Sequence, residues 1–568
     1  MSKTVQVSSV AEAYLELLAA RGIDYFFGNG GTDFAPIVEA YANRFAKEET
    51  LPKPIAVPHE ITAMAMAHGY TLVTGKPQVV MVHTLPGTAN ATGGVINAFR
   101  SNTPMLFTAG RTPLTEGDLK GSRDGGIHWG QESFDQGSMV REWVKWDYEL
   151  RPDADLEGVV DRALAISQSE PAGPVSLTLP REVLAKSLED FTYNESPRMT
   201  AADAIMPPPD LIHKAAMALA TAKNPMLITQ DSGRDPGAVQ PLIDLAEMLG
   251  MPVFESRVCH LNFPQNHPLH AGGDVAGTLP DADVVVILEV DVPWPPKRTG
   301  PNDNATVISI GVDPLFSSYP IRGYRSDLTL AGSPKPTLTA LVEVIKQIGV
   351  DSNAVNNRTA TWAAAREKRL DSISARARAG KDQIPISKAY FSAELNKHLS
   401  DDTILLSELG LDTNQMEFTT PGTTYAGSPA GILGWAVGAS LGAKLAAPDK
   451  TVICTLGDGS YTFGVPSAGH IVSKVQNLPV LFIVWNNGIW NAVKSAAKNM
   501  VPDGIAVATD TWAFTNLDQE CRYEMYCQAS GGYGERVDDP AQVPAAIERA
   551  LYAVQVEKRQ ALLNVIGS

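Results

Sequence analysis

Residues 451–460 read TVICTLGDGS, and residues 480–489 read VLFIVWNNGI. Each is a short apolar run closed by a turn: Gly457-Asp458-Gly459-Ser460 in the first, Asn486-Asn487-Gly488 in the second. Short, continuous apolar runs read as strands buried on both faces, as in a parallel sheet covered by helices. Both turns are then expected at the carboxyl ends of their strands, where open α/β sheets bind ligands. One turn offers a carboxylate and free backbone N–H groups, the other amide oxygens and a backbone carbonyl. That mixture suits a hard dication carrying a diphosphate, with phosphate oxygens filling the remaining positions. Glycines beside the Asp let the main chain approach the phosphate, and a following helix N-terminus favours the anion.

Working outward, residues 403–407 supply another strand of the same block. Upstream, the polar stretch 350–385 contains AAAREKRLDSISARARAGK, which is helix-forming and then breaks, as a linker helix would. Strand-like runs at 225–229, 252–255, 284–289 and 306–310 predict a second α/β block, preceded by a proline-bearing polar linker at 185–210. In the first block, Ser9 and Glu12 read as a capping box and Gly22 as the helix stop. A strand at 23–27 then enters the turn GNGG at 28–31, and further strands are expected at 79–83, 105–109 and 175–179. The expected fold is α/β, with three doubly wound parallel-sheet domains at 1–188, 205–350 and 380–568. A length of 568 residues fits three such units.

The composition is that of an ordinary globular protein, 44% apolar and 19% charged. Lys+Arg 46 against Asp+Glu 63 leaves −17, with no basic run, which argues against nucleic acid or an anionic membrane as partner. Cys259, Cys454, Cys521 and Cys527 form no CxxC pair, so neither a disulfide framework nor a zinc site is expected. The opening MSKTVQVSSVAEAYLEL has no signal-peptide core, and no apolar run is long enough to span a bilayer. A cytoplasmic location is the expectation.

With GDG and NN after successive strands, the chain resembles the thiamine diphosphate (ThDP) enzymes of the acetolactate synthase, pyruvate decarboxylase and benzoylformate decarboxylase type. The resemblance implies a pyrimidine-binding, a central and a diphosphate-binding domain. It also implies Mg²⁺ held by Asp458, Asn487 and the carbonyl of Ile489, with Gly457, Gly459 and Ser460 at the diphosphate. The Asp458–Asn487 spacing is slightly longer than the family's, which keeps Asn486 in view as the alternative amide. Residues 427–443, GSPAGILGWAVGASLGA, match the segment that places an apolar side chain beneath the cofactor. This implies Leu433 as that wedge and the Gly431 carbonyl as acceptor for the aminopyrimidine. SELGLDTN at 407–414 resembles the other diphosphate-side loop.

In the first block, Glu60 in VPHEITAMAMAHGYTLVTG stands where the family carries the glutamate that activates the cofactor through its pyrimidine ring. Its apolar neighbours predict burial. HTLPGTAN at 83–90 resembles the family's T-x-G-P-G-x-x-N turn, lacking its first Gly, and carries Asn90. His83, and His128, Gln131 and Glu132 of IHWGQESFDQ, are candidates to touch substrate. The implied activity is that of a carboligase or decarboxylase on a small 2-oxo acid, closest to acetolactate synthase, with an aldehyde as a further acceptor. A simple 2-oxo acid decarboxylase or aldehyde lyase is the alternative, and Glu60 argues against the glyoxylate carboligase branch. The resemblance further implies a homodimer or homotetramer with active sites between subunits. From another class, a nicotinamide dehydrogenase would have to use the 28–31 turn, which lacks G-x-G-x-x-G.

Overall fold

The computed structural model describes residues 1–568. Its core consists of three six-stranded sheets, parallel throughout, which bears out the expected fold class. Numbering each sheet's strands in chain order, the first and third sheets both run 2-1-3-4-6-5, and the central one runs 3-2-1-4-5-6. Several of the runs read as strands in the sequence are buried end to end. Val79–Val82, Pro225–Thr229, Val284–Leu288 and Val480–Asn486 contain no exposed residue.

Several local expectations shift. Ser9 Oγ accepts the Glu12 N–H at 3.3 Å, but the Glu12 carboxylate returns to the Ser8 N–H at 3.1 Å instead of closing the box on Ser9. The segment read as a linker opens with a strand, Asp190–Asn194, antiparallel to Ser2–Gln6. Tyr193 buries itself there, and this β-favouring aromatic outweighs the polar texture around it. The first strand of the first six-stranded sheet is Tyr25–Asn29, two residues later than its apolar run suggests. The Pro-Gly stretch at 83–90 is no turn. Helix Thr84–Arg100 begins there, because Pro86 falls in the first turn, where no N–H is needed. Likewise Asp458 opens a helix, Asp458–Phe463.

The outer units share one apolar core, in which Met64, Ala65 and Phe107 join Trp435, Val437 and Leu441. The seam is a helix pair, Glu60–Thr74 against Trp435–Ala446. The helices approach so closely that a Cβ on Gly438 would lie 2.7 Å from the Thr62 carbonyl. A Cβ on Gly442 or Gly69 would overlap the carbonyl of Met66 or Ala439, respectively. Helix Ser352–Ala379, which buries only Ala377 completely, is fastened to the central unit by arginines. Arg358 donates to the Leu249 carbonyl at 2.9 Å, Arg366 to that of Gln265 and Arg369 to that of His270, each at 2.8 Å. No helix is long and apolar enough to cross a membrane.

Candidate active site

The candidate residues fall into two groups, one at each outer sheet. Glu60 is the first residue of its helix, where the positive end of the helix favours a carboxylate. It is only 7% exposed, as its apolar neighbours predict. Asn90, one helix over, donates from Nδ2 to Glu60 Oε2 at 3.2 Å and so fixes the carboxylate's orientation. His83 ends the neighbouring strand. Its Nδ1 lies 2.5 Å from Oδ1 of Asp33, a buried residue just beyond the first strand. Gly110 lies so close to Asp33 that any side chain at residue 110 would displace the carboxylate. The Asp33 hydrogen bond raises the His83 pKa against the opposing cost of burial, with smaller contributions from Gln131 and Glu60. The structure thus sets His83 against Asp33, an aspartate that sequence reading missed, with Gln131 and the Asn90-held Glu60 on the His83 side. The signal for Asp33 is an Asp directly after a glycine turn at a strand's carboxyl end.

His128 is held elsewhere. Its Nδ1 accepts the Asp124 N–H at 3.3 Å, and its Nε2 faces Arg181 at 3.5 Å. Glu132 is tied to Thr112 at 2.8 Å and to Arg111 and Arg123, and burial is outweighed by these donors, which lower its pKa. Gln131 accepts the Thr84 hydroxyl at 3.4 Å.

In the third unit, the Asp458 carboxylate accepts the N–H of Gly459 and, across the turn, of Gly488, both at 2.8 Å. Burial raises its pKa despite these donors. Asn486 is fully buried and committed to structure, donating to Asn564 Oδ1 and the Gln519 carbonyl at 3.1 Å each. Asn487 is only partly buried, and its Oδ1 accepts just the nearby Ile489 N–H at 3.1 Å. The Ile489 carbonyl takes the Asn491 N–H at 2.9 Å, leaving a second lone pair. Ser460 is buried beside Asp458, and Gly459 packs beneath Trp490. At Gly457 and Gly431, by contrast, the space a Cβ would enter is open, as a cradle for a ligand requires. The chain nowhere gathers three His, Cys, Asp or Glu side chains for a metal. A dication at Asp458 would therefore need oxygens from a ligand, and a diphosphate supplies them. These features fit a metal-bound diphosphate.

A second missed residue is Glu408, 7% exposed at the end of its strand. Its two oxygens accept the Gly434 N–H at 2.7 Å and the Ala436 N–H at 2.8 Å, which ties the Leu433 loop to the sheet. Burial raises its pKa to about 7. Leu433 and Gly431 line a cleft of about 510 Å³ that faces the central unit, and neither Glu60 nor His83 lines it.

Residues 8–139 match the N-terminal TPP binding domain of thiamine pyrophosphate enzymes, 212–341 their central domain, and 409–565 their C-terminal TPP binding domain. The chain belongs to the thiamine pyrophosphate enzyme family. It is a ThDP-dependent enzyme that forms or cleaves C–C bonds. Among curated relatives, a benzoylformate decarboxylase of Pseudomonas aeruginosa is 25% identical over 514 residues, covering 88% of this chain and 89% of its own. An acetolactate synthase large subunit of Buchnera aphidicola is also 25% identical over 514 residues, covering 86% and 84%. The crystal structure of a benzoylformate decarboxylase from Polynucleobacter necessarius superposes with a TM-score of 0.77 at 21% identity, covering 98% of each chain, and so shares the fold. The nicotinamide alternative is corrected here, because the 28–31 turn lies inside the N-terminal TPP binding domain.

Proposed function

We propose that this ThDP enzyme is a Mg²⁺-dependent decarboxylase of a 2-oxo acid that releases an aldehyde. The observation that supports this reading is the Asp33–His83 pair near Glu60, which would place a proton donor at the site of chemistry. Bound ThDP supplies a nucleophilic carbon and an electron sink, so a 2-oxo acid joined to it can lose CO₂. Glu60, oriented by Asn90, would hydrogen-bond the pyrimidine ring and hold its proton inventory. Asp33 favours the charged imidazole, so His83 would be placed to deliver a proton to the reacting carbon. A proton supplied by His83 would favour aldehyde as product, whereas a site without a proton donor would favour transfer to a second carbonyl. Gln131, through Thr84, would border the substrate, while His128 would position the 121–132 loop through Asp124 and Arg181.

Asp458, the Asn487 amide and the Ile489 carbonyl would hold Mg²⁺, and Gly457, Gly459 and Ser460 would surround the phosphates. Leu433 and Gly431 would support the rings. Leu433 lines the cleft that faces the central unit and Glu60 does not, which supports an assembly of at least two copies that pairs the Glu60 group of one with the Asp458 group of another. Carboligation is the second reading, favoured by relatives named acetolactate synthase.

The test is a panel of 2-oxo acids incubated with ThDP and Mg²⁺, with products identified by mass spectrometry. Aldehyde as the main product supports the proposal. A 2-hydroxy ketone or acetolactate-type acid as the main product overturns it in favour of carboligation. Sedimentation of the loaded enzyme tests the assembly, and a monomer that turns over at full rate would refute it.

A further inference from the structure

The cleft that begins at Gly431 and Leu433 ends on the central unit, where Glu255, Arg257, His270 and Arg369 line it. The charges at this far end are unequally satisfied. Arg257 is paired with the buried Asp291. Glu255 meets His270 Nε2 at 3.0 Å and accepts Asn262 Nδ2 at 3.1 Å. Arg369 has no carboxylate partner. Its Nη2 donates to the His270 carbonyl at 2.8 Å and meets the ring Nδ1 at 3.1 Å, while Nε and Nη1 make no hydrogen bond. Gly272 permits this placement, since a side chain there would overlap Nη1. Burial lowers the Arg369 pKa and Arg366 adds repulsion, while the Glu255 charge offsets part of both.

Arg369 is partly buried, and its Nη2 is held by His270, but Nε and Nη1 remain free to donate. A charge-assisted hydrogen bond from either to a carboxylate in the cleft is stronger than one between neutral groups. Docking the Ser352–Ala379 helix does not explain Arg369's place in the cleft. Arg366 performs the same service, donating Nε and Nη2 to the Gln265 carbonyl at 3.2 and 2.8 Å, without lining the cleft.

We propose that Arg369 binds a second anionic group of the substrate, so that the preferred 2-oxo acids carry a carboxylate at the end remote from the reacting carbonyl. This rests on the decarboxylase reading for the reaction itself, and on the cleft alone for recognition. The reacting end would lie toward Leu433 and the remote carboxylate toward the central sheet. Arg369 would select by KM without entering the chemistry.

The experiment uses the full chain loaded with ThDP and Mg²⁺, with 2-oxoglutarate and 2-oxopentanoate as paired probes. Wild type is compared with Arg369→Gln and Arg366→Gln, and glutarate binding is measured by calorimetry in parallel. Wild type is expected to favour the diacid in kcat/KM by about tenfold, the worth of a charge-assisted hydrogen bond. Arg369→Gln should abolish that preference through KM and weaken glutarate binding, while Arg366→Gln leaves both intact. Equal kcat/KM for the two acids in wild type, or a matching loss on both in Arg369→Gln, would overturn the proposal. Glutarate binding that depends on Arg369 in an enzyme that decarboxylates neither acid would sink the decarboxylase reading and leave this one standing.

Discussion

The first and third sheets share one strand order, yet their corresponding strand ends carry opposite equipment. The third strand in chain order ends at His83 in one and at Asp458 in the other, and a helix begins at once in both. Beyond the first strand stands Asp33 in one sheet, and at its end Glu408 in the other. After the second strand come Glu60 and its helix in one, and Leu433 and the Trp435 helix in the other, and these two helices form the seam. The N-terminal ends pair their polar groups with each other: Asp33 with His83, Asn90 with Glu60. The C-terminal ends offer oxygens and open space and need a ligand to complete them. On the proposed reading, one scaffold would serve proton chemistry or anion binding according to a few residues at equivalent positions, since fold alone does not choose.

The largest expected effect separates the two roles. Glu60→Gln should lower kcat by at least about 100-fold, the scale of acid–base catalysis, with ThDP affinity by fluorescence titration nearly unchanged. Unchanged kcat would remove the proton-chemistry side of the comparison. Asp458→Ala should do the reverse and weaken Mg²⁺-dependent ThDP binding by about 100-fold or more, since even outer-shell changes cost about 10–100-fold in metal affinity. Calorimetry showing native affinity would refute the anion-binding side. Asp33→Asn should lower kcat by about tenfold and move its pH profile. Asp33 raises the His83 pKa, so activity that uses the His83 proton falls as pH rises through that raised value. Without the carboxylate the fall should come at lower pH, and an unmoved profile would show that His83 is not the donor. The smallest effect tests the seam. Alanine normally stabilises a helix by about 1 kcal/mol over glycine. At Gly442, however, the added methyl meets the Met66 carbonyl, and overpacking costs about 1–3 kcal/mol. Gly442→Ala should therefore lower the Tm, and a raised Tm would show that the helices can move apart.

Much of the third unit was legible because its chemistry lies in consecutive residues. A strand delivers Asp458 and the next delivers Asn487 within a few peptide bonds of each strand's end. The family resemblance favoured Asn487 over Asn486, and the structure adds a physical reason that sequence could not show: Asn486 is buried and donates to Asn564 on a strand two later in the chain. The first unit was harder. Glu60 stood out as an acid in an apolar stretch, whereas Asp33 and His83 are 50 residues apart and meet only because their strands are neighbours. His128, equally prominent in sequence, is bound instead to Asp124 and Arg181.

The sequence by itself determined the three parallel sheets, the order of the units and the oxygen-rich turns, because strand periodicity and turn chemistry act over a few residues. Only the tertiary structure decided which candidates share a site. Proximity between distant segments, the glycine-tight seam of the two helices and the unpaired Arg369 depend on packing, and packing is a property of the whole chain.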